Sequence, residues 1–278
     1  MDLQGKKVLV FGAGISGIGS CGLLEKEGAE VILYDGNDKK DAEAMKAQLG
    51  EGSKVRVVLG AFPEEEMESL DLVVMSPGVP TDLPVVLAMK EKGIPVWGEI
   101  ELAYVCGKGD VLGITGTNGK TTTTSLLGEI MKNARDSVFV VGNIGTPYTN
   151  AAADTREDSV IVAELSSFQL ESIHTFHPKV SAVLNITPDH LDRYNYEMQN
   201  YVDAKFRILQ NQTKDDAFIF WNDDPIIKQE LAKHGLKAHL YPFAAMKEDG
   251  AIAYVEDHEV KITEPIAFNM EQEELALT

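Results

Sequence analysis

The sequence has few basic residues for its acidic content. Its 278 residues contain 25 Lys and Arg against 44 Asp and Glu, which gives a formal net charge of −19. A surface this acidic repels the phosphate backbone of nucleic acids unless basic residues cluster locally. The longest basic runs are pairs such as Lys6–Lys7 and Lys39–Lys40. The sequence therefore predicts no nucleic-acid partner.

Cysteine and long apolar runs are also scarce. The two cysteines, Cys21 and Cys106, lie in apolar, helix-like contexts, which indicates buried thiols in a reducing compartment. No apolar run approaches the roughly 18 residues that a membrane span needs. The N-terminus leads straight into a strand pattern without a signal-peptide core. We therefore expect a cytoplasmic protein without membrane contact.

Apolar strand patterns alternate with helical patterns along the whole chain. The order strand, helix, strand predicts parallel sheets with helices on their faces. A first α/β series ends near residues 93–110, which look like a boundary carrying a short helix, and a second series begins with "DVLGITG". We expect two domains, residues 1–97 and residues 98–278.

The stretch "GAGISG" at residues 12–17 fits the pattern G-x-G-x-x-G between a strand and a helix. Asp35 follows at the end of the next strand, which completes a dinucleotide-binding fingerprint. The glycines let the backbone approach a pyrophosphate at a helix N-terminus. These residues alone leave open NAD, another diphosphate ligand, or a tight turn without a ligand.

A second Gly-rich turn, "GITGTNGKTT", begins at Gly113 and has the features of a triphosphate site. Backbone N–H groups of residues 116–121 can surround phosphate oxygens, Lys120 can neutralise the β/γ end, and Thr121 can bind Mg²⁺. Five residues separate Gly113 from Gly119 where the standard P-loop has four. Gly116 is therefore the candidate for the functional first glycine.

The stretches "ITGTNGK", "GNIG", "ELSS" and "NITPDH" each follow an apolar strand, and we expect them to converge on one site, because a ligand in an open α/β sheet lies beyond the carboxyl ends of the strands. Glu164 ends the strand "SVIVAELSS", as a Mg²⁺ ligand or a structural partner. His190 follows "VSAVLNITPD", as a ligand, an acid or base, or neither, since Mg²⁺ prefers oxygen. Lys205 is the polar exception in "YVDAKFRIL", and a solvated helix lysine is the alternative.

The stretches "GITGTNGKTTT", "GNIG", "ELSSFQLE", "NITPDHLDRY" and "YVDAKFRI" together resemble the central domain of the Mur ligase family. The resemblance extends over essentially the whole chain, since "VLVFGAGISG" and "VVMSPGVP" precede them. It implies a Rossmann-like UDP-sugar-binding domain followed by a P-loop α/β ATP-binding domain. Asn118 and "NITPDHLDRY" favour the member that joins D-glutamate to UDP-N-acetylmuramoyl-L-alanine through an acyl phosphate.

The resemblance also assigns roles to residues. It implies catalytic roles for Lys120, Glu164, His190 and Lys205, and two Mg²⁺ sites held by Thr121, Glu164, His190 and a carbamylated Lys205. It implies ATP contacts by Gly116, Thr117, Asn118, Gly119, Lys120, Thr121, Thr122 and Asn143. It implies UDP-sugar contacts by Gly14, Ile15, Ser16, Asp35, Gly36, Ser76, Pro77 and Gly78. Gly36 and Asn37 stand where some members have Thr and Arg.

Members of the family continue into a C-terminal domain that carries the D-glutamate site. We therefore expect these 278 residues to bind the UDP-sugar as a monomer and to retain little ligase turnover. Two other functions remain as alternatives: a P-loop ATPase or kinase, and an NAD-dependent oxidoreductase that uses "GAGISG".

Overall fold

The computed structural model describes residues 2–233 and 235–275. Its strands are β1 Lys7–Phe11, β2 Glu30–Asp35, β3 Arg56–Leu59, β4 Leu72–Met75, β5 Val96–Gly98, β6 Asp110–Thr115, β7 Val138–Gly142, β8 Val160–Glu164, β9 Val180–Val183, β10 Ala217–Trp221, β11 His239–Phe243, β12 Ala253–Glu256, β13 Glu259–Ile262 and β14 Phe268–Glu271. Its α-helices are α1 Ile15–Lys26, α2 Ala42–Leu49, α3 Glu64–Met67, α4 Pro84–Glu91, α5 Glu99–Cys106, α6 Lys120–Ala134, α7 Tyr148–Ala151, α8 Ser167–Leu170, α9 Met198–Phe206 and α10 Pro225–Lys233. Short 3-10 helices cover Ala152–Asp154, Leu191–Tyr194, Arg207–Leu209 and Gln272–Glu274.

The strands of the described residues form two sheets. The first has the order β3-β2-β1-β4-β5 and is parallel throughout. The second has the order β14-β13-β12-β11-β10-β9-β6-β8-β7, and it is parallel except for the pairs β12–β13 and β13–β14. Helices cover the parallel parts, so central strands such as β4 and β8 are buried along their whole length.

The two sheets share one apolar core. A single cluster of buried side chains includes Val8 and Leu33 of the first sheet together with Val111 and Ile161 of the second. Between the sheets α1 packs against α7 and α5 also packs against α7. Packed helices therefore connect the two sheets that carry the Gly-rich turns.

The α/β class and the two parallel series agree with the sequence-based prediction. The short helix expected within residues 93–110 is α5, and the structure adds the strand β5 just before it. That strand lies across the expected boundary at residue 97, and the division into two domains stays a prediction. In the part of the chain that the structure describes, no helix is long and apolar enough to cross a membrane.

Candidate functional site

The second Gly-rich turn joins β6 to α6 at the carboxyl edge of the second sheet. Gly113 is buried within β6, whereas Gly116 has φ 144° and Gly119 has φ 84°, so the turn itself begins at Gly116. A Cβ on Gly116 would lie 3.0 Å from Cβ of Leu184 on the neighbouring segment. This supports Gly116 as the functional first glycine and explains the irregular spacing.

Residues of the segment after β9, together with Tyr201 of α9, hold the turn in place. The Thr117 hydroxyl contacts Tyr201 Oη at 3.0 Å and donates to the Thr187 carbonyl at 3.1 Å. The Asn118 amide N–H donates to Asn185 Oδ1 at 2.9 Å, and Asn185 Nδ2 donates back to the Asn118 carbonyl. The sequence assigned no role of its own to Asn185, although this residue begins the stretch "NITPDH" that was expected at the site.

The Glu164 carboxylate accepts hydrogen bonds from Thr121 and Asn143. Glu164 is 1% exposed at the end of β8. Its Oε2 accepts from the Thr121 hydroxyl at 2.9 Å, and its Oε1 accepts from Asn143 Nδ2 at 3.0 Å. Glu164 and Thr121 present oxygen atoms, which are the ligands that Mg²⁺ prefers, whereas Asn143 presents its Nδ2. This pair of oxygen donors is suited to hold a magnesium ion beside the first turn of α6. Thr122, an expected ATP contact, lies in the same turn and is exposed.

Two lysines converge on the same backbone oxygen of the turn. Lys120 Nζ donates to the Gly116 carbonyl at 2.9 Å, and Lys205 Nζ donates to it at 2.7 Å. Lys205 is 2% exposed, so the solvated-lysine alternative is wrong. Burial and the neighbouring Lys120 charge lower the pKa of Lys205 to about 7, while Asp189 acts in the opposite direction. Both causes favour the neutral amine over the ammonium.

His190 lies apart from this cluster. Among the described residues, no hydrogen bond or ion pair joins it to the other expected catalytic side chains. Its side chain is 61% exposed, and its Nε2 is 3.6 Å from the carboxylate of Asp189. Its ring centroid lies 5.4 Å from that of Phe168. Across the described residues, no three His, Cys, Asp or Glu side chains form a group that could hold a metal ion.

The first Gly-rich turn joins β1 to α1 with the close packing that its glycines predict. Gly12 has φ 101°, and a Cβ on Gly17 would lie 1.9 Å from the Gly12 carbonyl oxygen. Asp35 Oδ2 accepts from the Ala13 N–H at 3.0 Å. The Ser76 hydroxyl donates to the Gly12 carbonyl at 2.8 Å, so the Ser76–Gly78 turn lies beside the first one.

A cavity of about 410 Å³ lies between this turn and the second sheet. Seven of the eight expected UDP-sugar residues line it: Gly14, Ile15, Ser16, Asp35, Ser76, Pro77 and Gly78. The exception is Gly36, which is exposed and lies outside the lining. Lys40, Gln169 and Asn143 also line the cavity, although the sequence pointed to none of them as part of this site. Asn143 thus lies against the first cavity and also donates to Glu164 of the second cluster.

Comparison with known families identifies the chain's relatives. Residues 6–98 match the family described as Mur ligase MurD-like, N-terminal domain. Residues 114–277 match the Mur ligase middle domain.

Two curated relatives show the extent of the similarity. The chain is 56% identical to the UDP-N-acetylmuramoylalanine–D-glutamate ligase of Bacteroides thetaiotaomicron over 273 residues, covering 98% of this chain and 61% of that protein. It is 50% identical to the ligase of the same name from Lachnospira eligens, covering 95% of this chain and 58% of that protein. The chain therefore spans about three fifths of the length of these relatives.

Solved structures show the same fold at low sequence identity. The UDP-N-acetylmuramate:L-alanyl-gamma-D-glutamyl-meso-diaminopimelate ligase from Neisseria meningitides has a TM-score of 0.59 and 18% identity, covering 93% of this chain and 84% of that one. A murein peptide ligase from Psychrobacter arcticus has a TM-score of 0.58 and 17% identity, covering 96% and 61%. Because the middle-domain match alone covers more than half of the sequence, the chain belongs to the Mur ligase family.

Proposed function

We propose that this chain supplies the UDP-sugar site and the ATP site of a ligase that joins D-glutamate to UDP-N-acetylmuramoyl-L-alanine in peptidoglycan precursor synthesis. The names of its relatives support this reaction. The observation that carries the proposal is the position of Asn143, which lines the first cavity and hydrogen-bonds Glu164 beside the second turn. A sugar carboxylate in the cavity and an ATP phosphate on the turn would approach each other there.

The reaction requires positioning and charge neutralisation more than covalent chemistry by the protein. ATP would phosphorylate the carboxylate of the sugar substrate, and the D-glutamate amine would displace phosphate from the acyl phosphate through a tetrahedral intermediate. The backbone N–H groups at the start of α6 and the Lys120 ammonium are suited to hold the phosphates, whereas the Thr117 and Asn118 N–H groups already donate to Asn185. Glu164 and Thr121 would hold Mg²⁺, which would neutralise phosphate charge when bound.

We also propose that Lys205 is carbamylated in the active protein. A neutral amine adds to CO₂ and releases one proton, which leaves a carbamate in place of a cation. The lowered pKa of Lys205, about 7, favours the neutral amine that this addition requires. The anion formed would remove the repulsion between Lys205 and Lys120 and offer oxygen ligands for a second Mg²⁺. We place His190 at this second metal as part of the proposal, although its ring is largely exposed.

We further propose that the protein acts as a monomer in the cytoplasm, where ATP and nucleotide sugars are available. The two cysteines are free thiols, which agrees with a reducing compartment.

Calorimetric titration of the chain with UDP-N-acetylmuramoyl-L-alanine tests the proposal, with NADH as the matched control. We expect saturable binding of the UDP-sugar and none of NADH. Binding of NADH alone would favour the oxidoreductase alternative. ATP hydrolysis that proceeds at full rate without the UDP-sugar would favour the ATPase alternative.

A further inference from the structure

The cavity beside the first Gly-rich turn has one cationic side chain in its described lining. That side chain is Lys40, and the remaining lining consists of Asp35 and neutral residues. The first turn of α1 carries no charged side chain, so it offers backbone N–H groups, the Ser16 hydroxyl and the helix dipole, but no full positive charge. Any full positive charge that meets a ligand in this lining comes from Lys40.

Lys40 and Asp35 form an ion pair at the edge of the cavity. Lys40 Nζ lies 2.6 Å from Asp35 Oδ2, and the two side chains are 36% and 14% exposed. The same Asp35 oxygen accepts from the Ala13 N–H in the Gly-rich turn. A lysine ammonium has three donors, and the structure shows one of them on Asp35. The other two N–H donors can contact phosphate oxygens, because the Lys40 side chain is partly exposed to solvent.

A diphosphate adds at least two negative charges to a cavity that already holds the Asp35 carboxylate. Without Lys40, the ligand would meet an unpaired anion in a partly buried site, where screening by solvent is reduced. With Lys40 present, the carboxylate is neutralised and the ammonium can also contact the ligand.

We infer that Lys40 is the residue that supplies the counter-charge for the diphosphate and so determines the preference of this cavity for phosphorylated uridine over uridine. This inference rests on the proposed function, because it takes a UDP-sugar as the ligand of the cavity. Lys40 acts by charge and by hydrogen bonding.

The test compares Lys40→Gln with Lys39→Gln in the 278-residue chain, using UDP and uridine as the probes. Lys39 is the adjacent lysine, and it is exposed and outside the cavity lining. Each affinity is measured by calorimetry or by NMR titration at low and at high ionic strength. The melting temperature of each variant is recorded first, to verify the fold.

We expect Lys40→Gln to bind UDP about tenfold more weakly than the unsubstituted chain, since a hydrogen bond to a charged group is lost. Lys39→Gln should bind within about twofold of it, as surface charges contribute little. The Lys40→Gln deficit should shrink at high salt and be absent for uridine. Lys40→Arg, which keeps the charge, should retain UDP affinity.

Two results would overturn the inference alone. One is equal UDP affinity of Lys40→Gln and Lys39→Gln while the unsubstituted chain binds UDP. The other is an equal loss for UDP and uridine, which would assign Lys40 to the nucleoside or to the shape of the turn. Failure of the unsubstituted chain to bind UDP or the UDP-sugar would refute the proposed function and this inference together.

Discussion

A buried carboxylate behind the cavity gives a stability prediction that depends on pH. Glu99 is the first residue of α5 and is 1% exposed. Its Oε1 accepts from Gln169 Nε2 at 2.6 Å, and its Oε2 has no hydrogen-bond partner among the described residues. Burial raises the pKa of Glu99 from 4.5 to about 7, against the opposing effect of the Gln169 hydrogen bond.

The raised pKa means that the folded state holds this proton more tightly than the unfolded state. The stabilisation is therefore fully present below pH 4.5 and is lost as the pH rises through about 7. The change in pKa corresponds to about 3 kcal/mol in total, of which about 2.5 kcal/mol is lost between pH 5 and pH 8.

Glu99→Gln removes the titrating group and keeps an oxygen for Gln169 to donate to. Between pH 5 and pH 8 we expect the melting temperature of the unsubstituted chain to fall relative to this variant. About 2.5 kcal/mol corresponds to about 5 °C or more in a chain of this size. The absolute difference in melting temperature at any one pH also includes the cost of burying the unpaired N–H groups of the new amide. The diagnostic quantity is therefore the change of this difference with pH.

Differential scanning calorimetry at four pH values between 5 and 8 measures this change. Glu91→Gln is the matched control, because Glu91 is an exposed carboxylate at the end of α4. The control should track the unsubstituted chain at every pH. A difference between Glu99→Gln and the unsubstituted chain that stays constant over this range would refute the assignment of a near-neutral pKa to Glu99.

Three further predictions test the two Gly-rich turns. Lys120→Ala should weaken ATP binding at least about tenfold and leave UDP-sugar affinity unchanged, as calorimetry with each nucleotide would show, and an equal loss of both would contradict separate sites. Carbon-13 bicarbonate should give a carbamate NMR signal near neutral pH that Lys205→Ala abolishes, and a signal that survives the substitution would assign the carbamate to another amine. Gly17→Ala should destabilise the chain by about 2 kcal/mol or more, because its Cβ would lie 1.9 Å from the Gly12 carbonyl oxygen. Gly22→Ala on the same helix meets nothing within 4 Å and should raise the melting temperature slightly, so equal melting temperatures for both variants would contradict the packing argument.

Much of the second site followed from strand patterns. The segments after β6, β7, β8 and β9 were expected to converge because the carboxyl ends of parallel strands meet at one edge. The hydrogen bonds of Glu164 to Thr121 and Asn143, and of Asn118 to Asn185, confirm that convergence.

Other features could not be read from the sequence because they depend on contacts between distant segments. The burial of Lys205 depends on α9 packing beside the second turn, 89 residues earlier in the chain. Gln169 reaches the first cavity because a capping box with Ser166 begins α8 and a hydrogen bond to Glu99 fixes its amide. A helical pattern shows on which face of its helix a residue lies, but it does not show which segment packs against that face.

The sequence by itself determined the α/β class, the two Gly-rich turns and the residue types at each strand end. These features depend on local geometry: a left-handed φ favours glycine, and a parallel strand buried on both faces favours an apolar run. The tertiary structure decided that Lys120 and Lys205 share one carbonyl oxygen and that Asn143 borders both sites. It also decided that Lys40 is the cation in the described lining of the first cavity. Contacts between segments that are far apart in the chain form only when the two sheets pack against each other. Only the folded molecule therefore specifies which charged and polar groups lie close together.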